Sequence, residues 1–146
     1  MCGPAGSGKS TVARRLPGFV ALSFDREAWA RGWHTMPLPE PVHAEIEAEL
    51  RSRLVELLTA GRDVVLDFSF WSRVMRDQWR AVLAPLGVVP ETIYVSTDRE
   101  TALARVRARH GSSQDDFQLT EDLARRYYDG FEPPTSDEGP LTVVST

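Results

Sequence analysis

The sequence predicts an α/β fold in which helices flank a parallel β-sheet. Three short apolar runs, at 19–23, 64–68 and 91–96, have the length and composition of buried strands. Segments with helical periodicity or helix-capping residues alternate with these runs along the chain. Such alternation is typical of a parallel sheet, because parallel strands need crossover connections that are usually helical.

The predicted helices each have a stop, a cap or an apolar face. Pro17 and Gly18 end the first helix, and Gly61 ends the third. Thr97 and Glu100 have the spacing of a capping box, and Trp71 falls on the inward face of its helix. The predicted helices cover 9–15, 25–30, 43–58, 71–86, 97–109 and 120–128, and a last strand covers 141–144.

Length and composition indicate a single domain spanning residues 1–146. The chain has 146 residues, of which 42% are hydrophobic and 26% charged, and its net charge is −4. The sequence offers no apolar run of about 18 residues, so we expect no membrane partner. Cys2 is the only cysteine, which excludes an internal disulfide and favours a cytoplasmic location. Oligomeric state is not indicated.

The start of the chain raises a question about the sheet. Only Met1 and Cys2 precede the first glycine of the motif described next, whereas such a motif normally follows a buried strand. Either a strand lies upstream of residue 1 or the sheet is short of a central strand. We expect the former, because a doubly wound sheet would otherwise have a gap beside its site.

The strongest motif is a phosphate-binding loop near the start of the chain. Gly3, Gly8, Lys9 and Ser10 satisfy the pattern G-x-x-x-x-G-K-[ST], and Lys9 is the only lysine among 17 basic residues. Backbone N–H groups of such a loop surround phosphate oxygens, lysine reaches the β- and γ-phosphates, and the serine hydroxyl binds Mg²⁺. A chance glycine-rich turn is the alternative. The predicted nucleotide-binding residues are Gly3, Ala5, Gly6, Ser7, Gly8, Lys9, Ser10 and Thr11.

Two aspartates follow predicted strands, at the edge of the sheet where ligands bind. Asp67 ends an apolar run and could hold Mg²⁺ together with Ser10, although it could also cap the next turn. Asp25 follows the strand 19–23 and could act as the base for an attacking hydroxyl, or as the N-cap of the next helix. We predict the functional role for both.

Arginines at the end of the fifth predicted helix complete the candidate site. Arg105 and Arg109 are four residues apart and precede the polar segment 111–118. Arginines beside such a segment can neutralise a transferring phosphoryl group, although they could also simply favour the C-terminal end of a helix. We predict Lys9, Asp25 and at least one of the equally placed Arg105 and Arg109 to be catalytic, and expect 111–118 to act as a short lid.

These motifs together resemble the small P-loop kinases of the AAA_33 and zeta-toxin type. The likeness is carried by Gly-Pro-Ala-Gly-Ser-Gly-Lys-Ser-Thr at 3–11, by Asp25 and Asp67 after their strands, and by Leu-Ala-Arg-Val-Arg-Ala-Arg at 103–109. That group includes the polynucleotide 5′-kinase domain, chloramphenicol phosphotransferase and gluconate kinase. The resemblance spans nearly the whole chain, but only the loop motif is highly specific.

The resemblance implies a P-loop NTPase fold with a five-stranded parallel sheet in the order 2-3-1-4-5. It implies transfer of the γ-phosphate of ATP, with Mg²⁺, and places Asp25 where the group has its catalytic carboxylate. Ala28 stands where the polynucleotide kinase has arginine, and this favours a small-molecule hydroxyl as acceptor. A 5′-hydroxyl polynucleotide kinase and a nucleotide-dependent switch with weak ATPase activity remain the alternatives.

Overall fold

The computed structural model describes residues 1–111 and 117–146 and confirms the predicted α/β class. Within these residues the strands associate in parallel pairs, Val20 opposite Val64 and Thr92 opposite Leu141. The first pair consists of β1 (Val20–Ser23) and β2 (Val64–Asp67), and the second of β3 (Thr92–Ser96) and β4 (Leu141–Ser145).

The first two residues join the strand pairs. The Met1 nitrogen donates to the Leu66 carbonyl at 2.8 Å, and the Cys2 N–H donates to the Ile93 carbonyl at 2.8 Å. Val95 N–H returns a hydrogen bond of 2.8 Å to the Cys2 carbonyl. With this segment counted first, the spatial order is the predicted 2-3-1-4-5. The described residues form four strands and this two-residue link, rather than five full strands.

In residues 1–111 and 117–146, six α-helices cover the sheet or extend from it. Several of their boundaries differ from prediction by two or three residues, as at Glu40, where helix α3 begins with Pro41 in its first turn. The helices are α1 (Lys9–Ala13), α2 (Phe24–Ala30), α3 (Glu40–Thr59), α4 (Arg73–Leu83), α5 (Arg99–Arg107) and α6 (Glu121–Asp129). None of the helices in the described parts of the chain is both long and apolar enough to cross a membrane.

The predicted capping box of Thr97 and Glu100 is wrong. Asp98 is the N-cap of α5, and its side chain accepts a hydrogen bond of 2.9 Å from Thr101 N–H. Asp98 has the extended backbone of a cap and directly precedes the first helical residue. Thr97, one residue earlier, is buried. Because Asp98 caps the helix, the Thr97 side chain can make other contacts.

Trp71 does not face inward as predicted. Helix α4 begins only at Arg73, because the Ser72 side chain accepts from Met75 N–H at 3.2 Å and caps it. Trp71 thus lies outside the helix, with 54% of its surface exposed. The inward face of α4 is formed instead by Trp79 and Leu83, both of which are buried.

The main core lies between α3, α4 and the sheet. Ile46, Leu50 and Leu54 of α3 are buried, as their helical spacing predicts. They share a cluster with aromatic residues that follow β2, and the rings of Phe68 and Trp79 meet edge to face at 4.9 Å. This packing fixes α4 and the segment after β2, which adjoins the phosphate-binding loop.

A buried ion pair ties α4 to the segment before β4. The Arg76 guanidinium donates to both Glu138 oxygens, at 2.7 and 2.8 Å, and neither side chain is more than 3% exposed. Arg76 also donates to the Phe70 and Glu132 carbonyls at 2.9 Å. The hydrogen bonds that Glu138 accepts from Arg76, together with those from Thr135 N–H and Arg80, lower its pKa to about 2.

We expect Glu138→Gln to destabilise the fold by about 3 kcal/mol at pH 7, because it leaves the buried Arg76 cation without its anion. The folded-state pKa of Glu138 lies below its ordinary value of 4.5, so this stabilisation is present above pH 4.5 and is lost as pH falls toward 2. Urea unfolding at pH 7 and at pH 3 tests both points.

Asp137→Asn is the matched control for that experiment, since its ion pair with Arg73 is largely exposed. It should change the urea midpoint little at either pH. Equal effects of the two substitutions would contradict a specific role for burial of the Glu138 pair.

Candidate functional site

The glycine-rich loop runs from Cys2 to the start of α1. Ser7 N–H donates to the Pro4 carbonyl at 3.2 Å, which closes a turn, and Gly8 takes a left-handed backbone conformation with φ of 89°. The N–H groups of Ala5, Gly6 and Gly8 make no backbone hydrogen bond to a described residue. Such N–H groups need acceptors, and phosphate oxygens are suitable ones.

Two glycines of the loop are packed too closely to carry a side chain. A Cβ added at Gly6 would lie 2.3 Å from the Ala102 carbonyl oxygen of α5. A Cβ at Gly3 would lie 2.7 Å from the Val95 carbonyl oxygen, and both glycines have positive φ. The loop is therefore held directly against β3 and α5.

Lys9 lies within electrostatic range of three charged side chains that the sequence singled out. Its ammonium group donates to the Pro4 carbonyl at 2.9 Å. Burial lowers the pKa of Lys9, while the nearby charges of Asp25 and Asp67 act to raise it and Arg109 acts to lower it. Four of the predicted site residues thus lie close enough to interact electrostatically.

The two aspartates lie at the carboxyl ends of neighbouring strands. Asp67 is buried and pairs in register with Ser23, two residues before Asp25. Ser23 caps α2, because its hydroxyl accepts from Arg26 N–H at 3.4 Å. The N-cap interpretation of Asp25 is therefore wrong. Asp25 instead lies exposed in the first turn of α2, at the ligand edge of the sheet.

Ser10 and Asp67 are the predicted metal ligands, and their chemistry fits Mg²⁺. Both offer oxygen atoms as ligands. The charge of Asp67 acts on Lys9, and Lys9 is predicted to bind the nucleotide phosphates that Mg²⁺ would also contact. Within residues 1–111 and 117–146, no three acidic, histidine or cysteine side chains cluster as a metal site. Such a cluster is not required, because Mg²⁺ in nucleotide sites is usually bound by only one or two protein oxygens, with water and substrate phosphates as its other ligands.

The two candidate arginines do not share a helix face. Helix α5 ends at Arg107, so Arg109 lies beyond it, and its guanidinium donates to the Phe117 carbonyl at 3.4 Å. Arg105 reaches the outer side of the glycine-rich loop, where it donates to the Gly6 carbonyl at 3.3 Å. Their four-residue spacing therefore did not predict a common partner.

The predicted lid at 111–118 is described only at its ends, since residues 112–116 lie outside the described parts of the chain. Gln118 forms a parallel bridge with Thr35, and buried Phe117 meets the Trp29 ring edge to face at 5.5 Å. The His34 ring lies 4.0 Å from the Trp29 ring. Trp29 is thus in contact with protein neighbours, and the end of the predicted lid adjoins residues 29–35, which follow Asp25 in the chain.

Sequence reasoning missed a group of hydroxyls behind the loop. Thr97 and Thr146 follow β3 and β4, and both hydroxyls lie within hydrogen-bonding distance of the Ser7 carbonyl. Tyr128 of α6 donates to the Thr97 carbonyl at 2.7 Å. The sequence offered one indication of a contact with the loop, the position of Thr97 directly after an apolar run. We instead interpreted Thr97 as a helix cap.

One cavity of about 340 Å³ lies elsewhere, between the beginnings of β2 and β3. Leucine and valine side chains dominate its lining, together with Trp79 and Phe70. None of the predicted site residues lines it, so it is not the candidate active site.

A parallel sheet with this strand order, and a glycine-rich loop ending in Lys9 and Ser10, define a P-loop nucleotide-binding fold. The chain belongs to the AAA_33 family, described as an AAA domain, whose family model matches residues 1–134. No curated protein matches the sequence.

Solved structures of kinases share the fold at low sequence identity. A sugar kinase from Janibacter sp. HTCC2649 is 20% identical with a TM-score of 0.68, and the match covers 99% of this chain and 82% of that one. A gluconokinase from Sinorhizobium meliloti 1021 is 21% identical with a TM-score of 0.64, covering 99% and 79%. The Mycobacterium tuberculosis APS kinase, solved with AMPPNP and APS, is 19% identical with a TM-score of 0.65, covering 99% and 84%.

Proposed function

We propose that this protein transfers the γ-phosphoryl group of ATP to a hydroxyl of a small molecule. The observation that carries the proposal is that Asp25 and Asp67 lie at the ligand edge of the sheet and that their charges and that of Arg109 all act on Lys9 of the P-loop. Phosphoryl transfer needs phosphate binding, charge neutralisation and an acceptor for the hydroxyl proton, and this grouping offers a residue for each.

The phosphate side of the site is formed by the loop. The N–H groups of Ala5, Gly6 and Gly8 and the Lys9 ammonium would bind the phosphate chain, and Lys9 would exchange its Pro4 contact for a phosphate oxygen. Ser10 and Asp67 would hold Mg²⁺, which when bound neutralises charge on the β- and γ-phosphates. Catalysis would therefore consist of positioning and charge neutralisation, without a covalent intermediate.

Asp25 would orient the acceptor hydroxyl and accept its proton as the oxygen attacks the γ-phosphorus and the bond to ADP breaks. Its exposure at the start of α2 makes it accessible to a substrate, and Ser23 relieves it of the capping role. Arg109 would stabilise the charge of the group in transfer, since its own charge already acts on Lys9.

The state of the other arginines supports a small acceptor. A polynucleotide would need cations for its phosphates, and Arg73 and Arg76 of α4, the helix after Asp67, are candidates for that role. Both are instead engaged, Arg73 with Asp137 at 2.8 Å and Arg76 with buried Glu138. Arg31, at the end of the helix that carries Asp25, likewise pairs with carboxylates of α3.

The titles of the similar structures point in the same direction, since they name a sugar kinase, a gluconokinase and an APS kinase. Each of these names a small molecule as the substrate of that protein. We therefore expect a compact hydroxylated compound to be the acceptor here as well.

We expect labelled phosphate from ATP to appear on a member of a panel of hydroxylated metabolites and antibiotics, and not on 5′-hydroxyl DNA or RNA oligonucleotides. The net charge of −4 and the paired arginines leave little basic surface for a nucleic-acid strand. The assay is run at low salt, where oligonucleotide binding would be strongest. Lys9→Ala provides the background.

Salt-sensitive labelling of the oligonucleotides above that background would overturn the small-molecule acceptor and favour a polynucleotide kinase. ATP binding without transfer to any acceptor, combined with a nucleotide-dependent change in partner affinity, would instead favour a switch.

A further inference from the structure

The outer side of the P-loop, facing away from the phosphate side, carries a hydrogen-bonded cluster that the proposed function does not use. It consists of Thr97 after β3, Thr146 after β4 and Arg105 on α5. We infer that these are positioning residues which hold the P-loop carbonyls outward and thereby direct the Gly8 N–H at the bound phosphate. The inference rests on the proposed use of the loop for nucleotide binding.

The cluster acts directly on two loop carbonyls. The Thr97 and Thr146 hydroxyl oxygens lie 3.3 and 3.0 Å from the Ser7 carbonyl oxygen. The two hydroxyls are 2.5 Å apart, and Arg105 donates to the Thr146 hydroxyl at 3.1 Å. With one proton each, one hydroxyl can donate to Ser7 while the other donates to its neighbour. The same Arg105 nitrogen also contacts the Gly6 carbonyl at 3.3 Å.

Because of peptide geometry, the contacts on the outer side of the loop fix the direction of an N–H group on its phosphate side. In a planar trans peptide the C=O and the following N–H point in opposite directions. The Ser7 carbonyl belongs to the same peptide unit as the Gly8 N–H, so holding that carbonyl outward directs the Gly8 N–H toward the phosphate side. Gly8 N–H donates no backbone hydrogen bond to a described residue, which leaves it available for a ligand.

The Gly6 carbonyl has the same relation to Ser7 N–H, which donates to the Pro4 carbonyl and closes the loop's turn. By contacting the Gly6 carbonyl, Arg105 supports that turn from outside. The close approach of Gly6 to Ala102 leaves the loop little room to rotate its peptide units.

This geometry separates the roles of the two arginines. Arg105 acts on loop carbonyls and would set nucleotide affinity, whereas Arg109, whose charge acts on Lys9, remains the candidate for contact with the transferring group. Loss of Arg105 should therefore raise the Kd for nucleotide, while loss of Arg109 should lower kcat.

The test compares two substitutions at Thr97, which is 6% exposed. Thr97→Val keeps the shape and removes the hydroxyl, whereas Thr97→Ser keeps the hydroxyl and removes a methyl group. We expect Thr97→Val to weaken Mg-ADP binding about 5- to 10-fold by calorimetry, the effect of losing one or two hydrogen bonds. Thr97→Ser should stay within about 2-fold of the unaltered protein, by the same criterion.

Two further variants complete the experiment. Arg105 is exposed, so Arg105→Ala should fold normally, and we expect it to weaken Mg-ADP binding about 3- to 10-fold with kcat at saturating ATP little changed. Thr142→Val is the control, since its hydroxyl contacts Glu91 and not the loop, and it should leave binding unchanged.

ADP binding by a folded Thr97→Val variant at unaltered strength would overturn the inference. So would equal losses in Thr97→Val and Thr97→Ser, since that would trace the effect to packing and not to the hydroxyl. If the unaltered protein binds no ADP, the proposed function itself fails, which distinguishes the two ideas. Should Thr97→Val not fold, Arg105→Ala with unaltered ADP affinity would overturn the inference in its place.

Discussion

Lys9→Ala is expected to lower ATP and ADP affinity by about 100-fold or more while the protein remains folded. A charge-assisted contact to phosphate contributes a few kcal/mol, and Lys9 is the only lysine in the chain. Its one hydrogen bond in the described structure is to Pro4, within the same loop, so truncation should cost the fold little. Calorimetry with Mg-ATP, alongside thermal unfolding, measures the two effects separately.

Arg15→Ala is a suitable control, because this exposed cation lies just past the end of α1. It should change nucleotide affinity by less than about 2-fold, as expected for a screened surface charge. Binding of ATP to Lys9→Ala at the strength of the unaltered protein would rule out the phosphate-binding role of the loop.

Asp25→Asn is expected to retain ATP binding but to lower kcat by about 100-fold or more, the usual effect of removing a general base. The amide keeps the size of the side chain and loses its ability to take a proton. Since Ser23 caps α2, the substitution should leave the cap of that helix intact. Steady-state kinetics at saturating ATP and acceptor give kcat, and calorimetry gives the ATP affinity.

Glu27→Gln serves as the matched variant on the same helix, where the carboxylate pairs with Arg53 and not with the site. It should leave kcat within about 2-fold of normal, as expected of a solvent-facing ion pair. A lower melting temperature with unaltered kcat in Asp25→Asn would show that Asp25 has a structural role only.

Asp67→Asn should have a different effect, because it removes a predicted metal ligand: it should raise the Mg²⁺ concentration needed for activity.

The local signals in the sequence were good predictors of the strands and of the loop. The apolar runs at 19–23, 64–68 and 91–96 produced β1, β2 and β3, each of which pairs in parallel with a neighbouring strand, and the glycine pattern at 3–10 produced a loop that leads into α1. Boundaries were less accurate, as at Asp98 and Ser72, because neighbouring polar residues compete for the cap and backbone geometry decides between them.

The sequence by itself therefore determined the fold class, the phosphate-binding loop and the family, since these depend on residue type and spacing over short distances. Only the tertiary structure decided which side chains meet across the chain. It paired Arg76 with Glu138, separated Arg105 from Arg109, and brought Thr97 and Thr146 to the Ser7 carbonyl. The physical reason is that the contacts of Arg76 with Glu138 and of Ser7 with Thr97 and Thr146 join residues 62 to 139 positions apart, and no local periodicity encodes the docking of strand ends and helices that creates them.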